Sequence, residues 1–455
     1  MHRRSLLLAA SASLAAPALR PAQAQPALAP PTPAAPPPIL FIHGNGDHSA
    51  LWTTTLWRFE SNGFPRENMA AMDLENPLAR DDDGVAQPLR SSAAEFLQAT
   101  ARAITALRRR TGAERVALVG NSRGGYPIRN HVLHNNGTAE VSHAVLCGTP
   151  NHGVWDSPDW RPNSEFNARS AFLRKLNGGE TDVARGTAFL TLRSDANDLY
   201  AQPDGRYIGR AGTPTGVDAA GPELRGATNL VLPGLDHRET AYSPRAFREM
   251  YRFITGTEPS RLDIMPEGRP VLNGRVTGTP GGVQTNRPLA GATVEVHRVD
   301  AAGLRMGPPI LKRLTRGDGV WGPVTVGPDW HLEIVVSAQD YPTTHIYRQP
   351  FPRSSNLVHL RPARPLTAED REAAAVVLFT RPRAYFGLPR DVVLLDGREP
   401  DATQVPRGVA ASATVTARLG PQRLNTSIAG LFNQQRLVGR TWPVAEGHIA
   451  VLELS

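Results

Sequence analysis

One cysteine in 455 residues, Cys147, excludes an intramolecular disulfide, a multi-cysteine zinc site and a lipid-bearing cysteine behind the N-terminal segment. Lysine is almost as scarce. Lys175 and Lys312 are the only ones, so the formal net charge of +8 is carried by arginine. Arginine and alanine richness with no interleaving of basic and aromatic residues argues for a compositional bias and against a nucleic-acid groove. Arg108-Arg109-Arg110 closes a helical pattern, where cations complement the helix dipole. Past the first two dozen residues no apolar run reaches the roughly 20 residues that span a bilayer. Asp81-Asp82-Asp83-Gly84 lacks the alternating ligand spacing of a calcium loop. No cofactor and no metal are called for.

What is present begins with Met1-His2-Arg3-Arg4-Ser5-Leu6-Leu7-Leu8, a charged start to a short, weakly apolar stretch that ends at Ala22-Gln23-Ala24. The paired arginines, the Ala/Ser-rich centre and the A-x-A site predict a twin-arginine-type export signal over residues 1–24, and a periplasmic or secreted product. Such a product crosses the membrane already folded, in keeping with the lone cysteine. Loss of Arg3, Arg4 and Arg20 with the signal lowers the net charge to +5. Residues 25–38 are Pro/Ala-rich and read as an extended linker.

From residue 39 to 256 strands and helices alternate, the pattern of a doubly wound, mostly parallel α/β sheet. Apolar runs predict strands at Ile39–Ile42, Met69–Leu74, Val116–Val119, Ala144–Cys147, Ala188–Leu192 and Asn229–Leu232. A helix is predicted from Ser91 to Arg110, stopped by Gly112, and another from Pro244 to Ile254, capped by Ser243 and stopped by Gly256. After Glu258 the pattern changes to short alternating runs broken by turn residues. These predict a β-sandwich over 257–340 and a second β-rich module over 341–455.

Within the first half, Val116-Ala117-Leu118-Val119 runs into Gly120-Asn121-Ser122-Arg123-Gly124 and then a helix-compatible stretch from Tyr126. Strand, tight G-x-S-x-G turn and helix form a nucleophile elbow, which presents a serine hydroxyl at the edge of a parallel sheet. A serine needs a base and an acid that orients it, in the chain order Ser, Asp or Glu, His. His237, after the last strand of the sheet, obeys that order; His131, His134, His143 and His152 come too early. Asp198 in the loop after the fifth strand is the candidate acid, with Asp195 the alternative and a turn former otherwise. Two N–H groups must face the developing oxyanion. Arg123, which follows the nucleophile, and Asn45, in His43-Gly44-Asn45-Gly46 after the first strand, are the candidates.

With these pieces the chain resembles an α/β-hydrolase of the bacterial lipase and esterase group, through Phe41 to Gly46, Gly120 to Gly124, Gly148-Thr149-Pro150-Asn151-His152-Gly153 and the segment around His237. The Gly-Thr-Pro-x-x-Gly stretch leads, in such lipases, into a region that covers the substrate. By that likeness 154–185 is a lid or a structural cap, with an apolar face from Trp155, Trp160, Phe166, Phe172 and Leu173. Gly274-Arg275-Val276, Pro288 to Val294 and Asp318-Gly319-Val320-Trp321 resemble a small transthyretin-like sandwich. A hydrolase followed by a β-rich tail is similar to archaeal long-chain lipases, which implies contact of the tail with a lipid surface. The expectation is thus an exported serine hydrolase of carboxylic esters, acylglycerols or other lipid esters, using Ser122, Asp198 and His237. The alternatives are a polyester (polyhydroxyalkanoate) depolymerase, an acyltransferase, or a binding or adhesion protein with a vestigial hydrolase domain.

Overall fold

The computed structural model describes residues 35–454, so the expected signal segment 1–24 and all but the last four residues of the 25–38 linker lie outside the described residues. The first half is a six-stranded sheet built from β1 (Ile39–Ile42), β2 (Met69–Met72), β3 (Val116–Asn121), β4 (Val141–Cys147), β5 (Ala188–Arg193) and β6 (Thr228–Val231). The order is β2-β1-β3-β4-β5-β6, with every neighbouring pair parallel. Between the strands run α1 (Thr53–Ser61), α2 (Ala93–Thr111), α3 (Gly125–His134) and α4 (Ala171–Asn177), and after them α5 (Glu239–Tyr242) and α6 (Pro244–Thr255).

The period-2 alternation of the strands sorts the helices into two layers. Phe41, Ala117, Val119, Val145, Leu190 and Leu192 face one side, where Phe59 of α1 and Phe247, Met250 and Ile254 of α6 pack on them. Leu40, Ile42, Leu118, Leu146 and Phe189 face the other, against Phe96, Ile104 and Leu107 of α2 and Ile128 and Val132 of α3. This is the doubly wound parallel sheet expected from the alternating strands and helices. The helix signals act as expected: Ser92 and Glu95 form a capping box on α2, and the Ser243 hydroxyl accepts from the Ala246 N–H at 3.2 Å with Pro244 in the first turn of α6.

The second half is all β apart from α7 (Ala368–Glu372). In chain order its strands are β7 (Val271–Leu272), β8 (Thr293–Val299), β9 (Leu311–Leu314), β10 (Val324–Thr325), β11 (His331–Ser337), β12 (Thr343–Arg348), β13 (Ala375–Thr380), β14 (Val393–Leu395), β15 (Thr414–Leu419), β16 (Ser427–Phe432), β17 (Gln435–Arg440) and β18 (His448–Glu453). Seven of them form one sheet, β15-β13-β18-β12-β11-β8-β9. Strand β18 lies parallel to both β12 and β13, and the other pairs are antiparallel. Residue 340 falls in the turn between β11 and β12, which pair with each other. One face of the sheet buries Val294, Leu332, Ile334 and Ile346 around Trp321, and takes in Trp57 from α1. The opposite face buries Tyr347, Phe379 and Leu452 against the small sheet β14-β16-β17.

Candidate functional site

Ser122 sits where β3 gives way to α3, with φ +53°, a left-handed conformation that costs a non-glycine residue energy and recurs where function requires it. The flanking glycines are a steric necessity. A Cβ on Gly120 would lie 2.6 Å from the Gly124 carbonyl oxygen, and one on Gly124 2.6 Å from the carbonyl oxygens of both Ile42 and His43. The loop after β1 passes equally close, since a Cβ on Gly44 would stand 2.9 Å from Ser122 Cβ. Asn45, the next residue, lines the same cavity as Ser122, and its Oδ1 accepts from the Ala79 N–H at 2.8 Å, which fixes the loop.

His237 follows β6 and is buried. Its Nδ1 lies 3.0 Å from Asp198 Oδ2, while the other Asp198 oxygen accepts from the Tyr200 N–H at 2.8 Å. Asp195 is turned away: its carboxylate accepts from the Asn197 N–H and side chain and from the Gly234 N–H at 2.9 Å, tying the loop after β5 to the loop after β6. Of the two candidate acids, only Asp198 meets the histidine. His237 Nε2 is enclosed and has no hydrogen-bond partner among the described residues, Ser122 Oγ included. The Asn121 side chain, next to Ser122, donates to the Cys147 carbonyl at 2.9 Å and to the His237 carbonyl at 3.4 Å, so the elbow and the histidine loop share one anchor.

Above Ser122 opens a cavity of about 310 Å³. Val154, Trp155, Trp160, Phe166 and Ile208 line it together with Arg80, Asp81, Arg90 and Arg161. Of segment 154–185 only the stretch from Val154 to Phe166 lines this cavity, and that stretch is tied to the elbow. Glu165 pairs with the fully buried Arg123 guanidinium, which also donates to the Pro77 and Ser91 carbonyls at 2.9 and 2.8 Å. Burial pushes the Glu165 carboxyl up, against the opposing pull of Arg123. Phe172 and Leu173, expected on the apolar face, pack against Tyr126 in a separate cluster and do not line the cavity. The face is built from aromatics nearer the Gly-Thr-Pro turn, because α4 rotates the later ones toward α3.

Several participants lie beyond what the motifs indicate. The Tyr200 ring, 4.3 Å from the His237 ring, lines the same cavity as Ser122. Asp236, the neighbour of His237, is wholly buried; it accepts from the Arg238 and Glu239 N–H groups at 2.8 and 2.7 Å and, across the chain, from the Tyr385 N–H at 3.0 Å. Burial and the nearby Glu239 push its carboxyl above the usual range, partly offset by Arg381. Arg381 reaches Glu239 at 3.2 Å and Asp236 at 3.6 Å. Asn197, next to Asp198, accepts from the Ala410 N–H at 3.4 Å. The loops of Asp198 and His237 are therefore both braced by the β-rich half. The only signal for this in the sequence is the acidic Asp236 and Glu239 around the histidine, which point to no particular partner.

Residues 269–365 match the family model described as Lipase C-terminal domain, a stretch that starts before β7 and runs past β12. No curated protein matches the chain. Among solved structures, the Bacillus licheniformis lipase BlEst2 in its mature form is 22% identical over 49% of this chain and 93% of its own, with a TM-score of 0.36. The propeptide form of that lipase is 14% identical over 90% of this chain and 93% of its own, with a TM-score of 0.37. The carboxylesterase CesB from Bacillus subtilis is 14% identical over 50% of this chain and 86% of its own, with a TM-score of 0.28. The chain joins a six-stranded parallel sheet layered by helices to a β-rich half, of which residues 269–365 match the lipase C-terminal domain model.

Proposed function

We propose that this protein is an exported serine hydrolase of carboxylic esters, with acylglycerols or other lipid esters as its substrates. The observation that carries the reading is a left-handed Ser122 on a strand-to-helix elbow, under a cavity lined by both aromatic and charged side chains, next to Asn121, which bonds the carbonyl of a histidine whose Nδ1 is 3.0 Å from Asp198. Ser122 Oγ attacks the acyl carbon as His237 Nε2 takes its proton. Asp198 keeps the second ring proton on Nδ1, which leaves Nε2 free as the base, and stabilises the imidazolium that forms. The Arg123 and Asn45 N–H groups donate to the tetrahedral oxyanion, each such donor being worth about 3 kcal/mol of barrier. Collapse breaks the ester C–O bond, His237 returns the proton to the departing alcohol, and water repeats the sequence on the acyl-enzyme. The aromatic lining of the cavity suits an acyl chain. Export through the 1–24 segment and contact of the β-rich half with a lipid surface belong to the same reading, the latter supported by the 269–365 match.

Ser122→Ala tests it. The variant should unfold at the temperature of the parent, lose about 10⁴-fold or more in kcat/KM on a short-chain p-nitrophenyl ester, and no longer be labelled by a fluorophosphonate. Hydrolysis at the parental rate would overturn the assignment.

A further inference from the structure

A second cavity, of about 100 Å³, lies away from Ser122, between the turn that leads into α1 and the β-rich half. Its charged lining is one-sided. Three guanidinium groups, those of Arg348, Arg361 and Arg383, line it with a single carboxylate, Glu453, a net of two positive charges; Asp47, which acts on Arg361 and Arg383 from outside the wall, is itself paired with Arg238. His48 and His359 complete the polar wall, their rings stacked at 3.7 Å. Burial, and then the neighbouring cations, hold both histidines well below their ordinary pKa, so they add no charge at neutral pH.

The partners of the three arginines differ. Arg348 is paired with Glu453 and donates to the His359 carbonyl at 2.9 Å. Arg361 donates to the Thr285 carbonyl at 2.9 Å. Arg383 is buried at 8% exposure, yet among the described residues its guanidinium makes no hydrogen bond and no ion pair; it stands over the Tyr242 ring, 5.7 Å from the centroid. Its Nη1 is enclosed without a partner, as are Arg361 Nε, Arg348 Nε and His48 Nδ1. A buried, unpaired guanidinium is among the costliest groups a fold contains, because it gives up hydration for nothing in return. Unmatched donors converging on a cationic hollow specify an acceptor with several oxygens and negative charge. The volume is several times the roughly 30 Å³ that one water occupies in the liquid.

We propose that this cavity binds one free, doubly charged tetrahedral oxyanion, phosphate or sulfate, held by Arg383 together with Arg348 and Arg361. Two oxygens of the ion satisfy the fork of Arg383, and its charge balances the excess of the wall. Because His48 belongs to the first half and the three arginines to the second, the bound ion pins the β-rich half to the turn before α1. The site is separate from the Ser122 cavity, and its occupancy is read by binding and stability with no substrate present, so it stands or falls apart from the esterase reading.

Calorimetric titration of the full-length protein with inorganic phosphate, at ionic strength held constant with sodium chloride, should give saturable binding of one ion per chain. Sulfate should compete. The midpoint of thermal unfolding should rise with the logarithm of phosphate concentration. Arg383→Met should weaken phosphate binding at least tenfold and remove that rise. In phosphate-free buffer it should unfold at or above the parental temperature, because an unpaired charge has been removed. Arg361→Gln, which keeps Arg383, should weaken binding by a smaller factor and serves if Arg383→Met does not fold. Absence of saturable phosphate binding by the parent, or an undiminished phosphate response in Arg383→Met, would overturn the proposal.

Discussion

Inside each half of this molecule the chain is held mainly by apolar surface, whereas the seam between the halves, apart from Trp57 seated in the β-rich core, is held mainly by charge. Phe41, Val119, Leu190 and Phe247 meet in one core, and Val294, Leu332, Ile334 and Trp321 in another. Across the seam Arg238, itself paired with Asp47 of its own half, donates to the Pro382 carbonyl at 3.0 Å, Arg353 pairs with Glu60 at 3.0 Å, and Arg381 lies between Asp236 and Glu239. Apolar contacts are non-directional and tolerate small shifts, while ion pairs and hydrogen bonds hold only at one relative position. The difference therefore assigns two jobs. The cores make each half fold, and the seam sets the register at which the β-rich half supports the loops of Asp198 and His237.

The largest effect should come from removing the charge at the centre of that seam. Arg381→Met leaves Asp236 and Glu239 buried beside each other without their common partner, and breaking such a group from one side costs about 3–5 kcal/mol. Urea unfolding should register that loss. Asp236 is already pushed upward by burial and Glu239, and Arg381 opposes this, so the variant's carboxyl should rise further. A carboxylate with a raised folded-state pKa loses stability as pH rises. The deficit should therefore be widest near pH 8 and narrow toward pH 5; a deficit below about 1 kcal/mol, equal at both pH values, would mean that the seam is not held this way.

One charged group tests the same contrast from inside the β-rich half. Glu333 on β11 has no solvent exposure, and its carboxylate accepts from Arg305 Nε at 2.6 Å and from the Tyr347 hydroxyl at 3.2 Å, with His345 Nδ1 at 2.7 Å. Burial pushes this carboxyl up, but the bonds from His345 and Arg305 outweigh it and bring it down to about 2. A depressed carboxylate contributes stability that is complete above its unfolded pKa and is lost as pH falls toward the folded value. Between about pH 4.5 and 2 the protein should lose roughly 3 kcal/mol through this residue. Glu333→Gln should unfold with a flatter acid limb in a urea–pH series; an unchanged limb would place the acid sensitivity elsewhere.

The cores were largely legible in the sequence and the seam was not, for a physical reason. Strand and helix periods report which face of an element is buried, and they outline the six parallel strands and α2 and α6 from Ile39 to Ile254. The Ser–Asp–His order singles out Ser122 and His237 and narrows the acid to one loop. Choosing between Asp195 and Asp198 needs three dimensions, since both sit in the same turn and both make hydrogen bonds. Arginine gives no such signal. Arg381, Arg383 and Arg390 look like ordinary surface cations, and Glu239, the partner of Arg381, is 142 residues away along the chain. The pairing of β18 between β12 and β13 is equally hidden, because two parallel neighbours far apart in the chain leave no turn to mark their register.

The smallest effect should come from the same carboxylate approached from the other side. Glu239 meets Arg390 at 2.7 Å, closer than Arg381 at 3.2 Å, so distance alone ranks Arg390 as the stronger partner. Exposure reverses that ranking. The Arg390 side chain is 47% exposed and Arg381 only 8%. At the rim water screens the pair and the long side chain loses freedom to hold it, which brings exposed pairs to about 0–1 kcal/mol. At the centre neither relief is present. Arg390→Ala should therefore destabilise by less than about 1 kcal/mol, and 0.5 M salt should erase most of it, while the Arg381→Met deficit should persist in the same salt. Equal losses from the two variants would show that proximity, and not burial, ranks the charges of the seam.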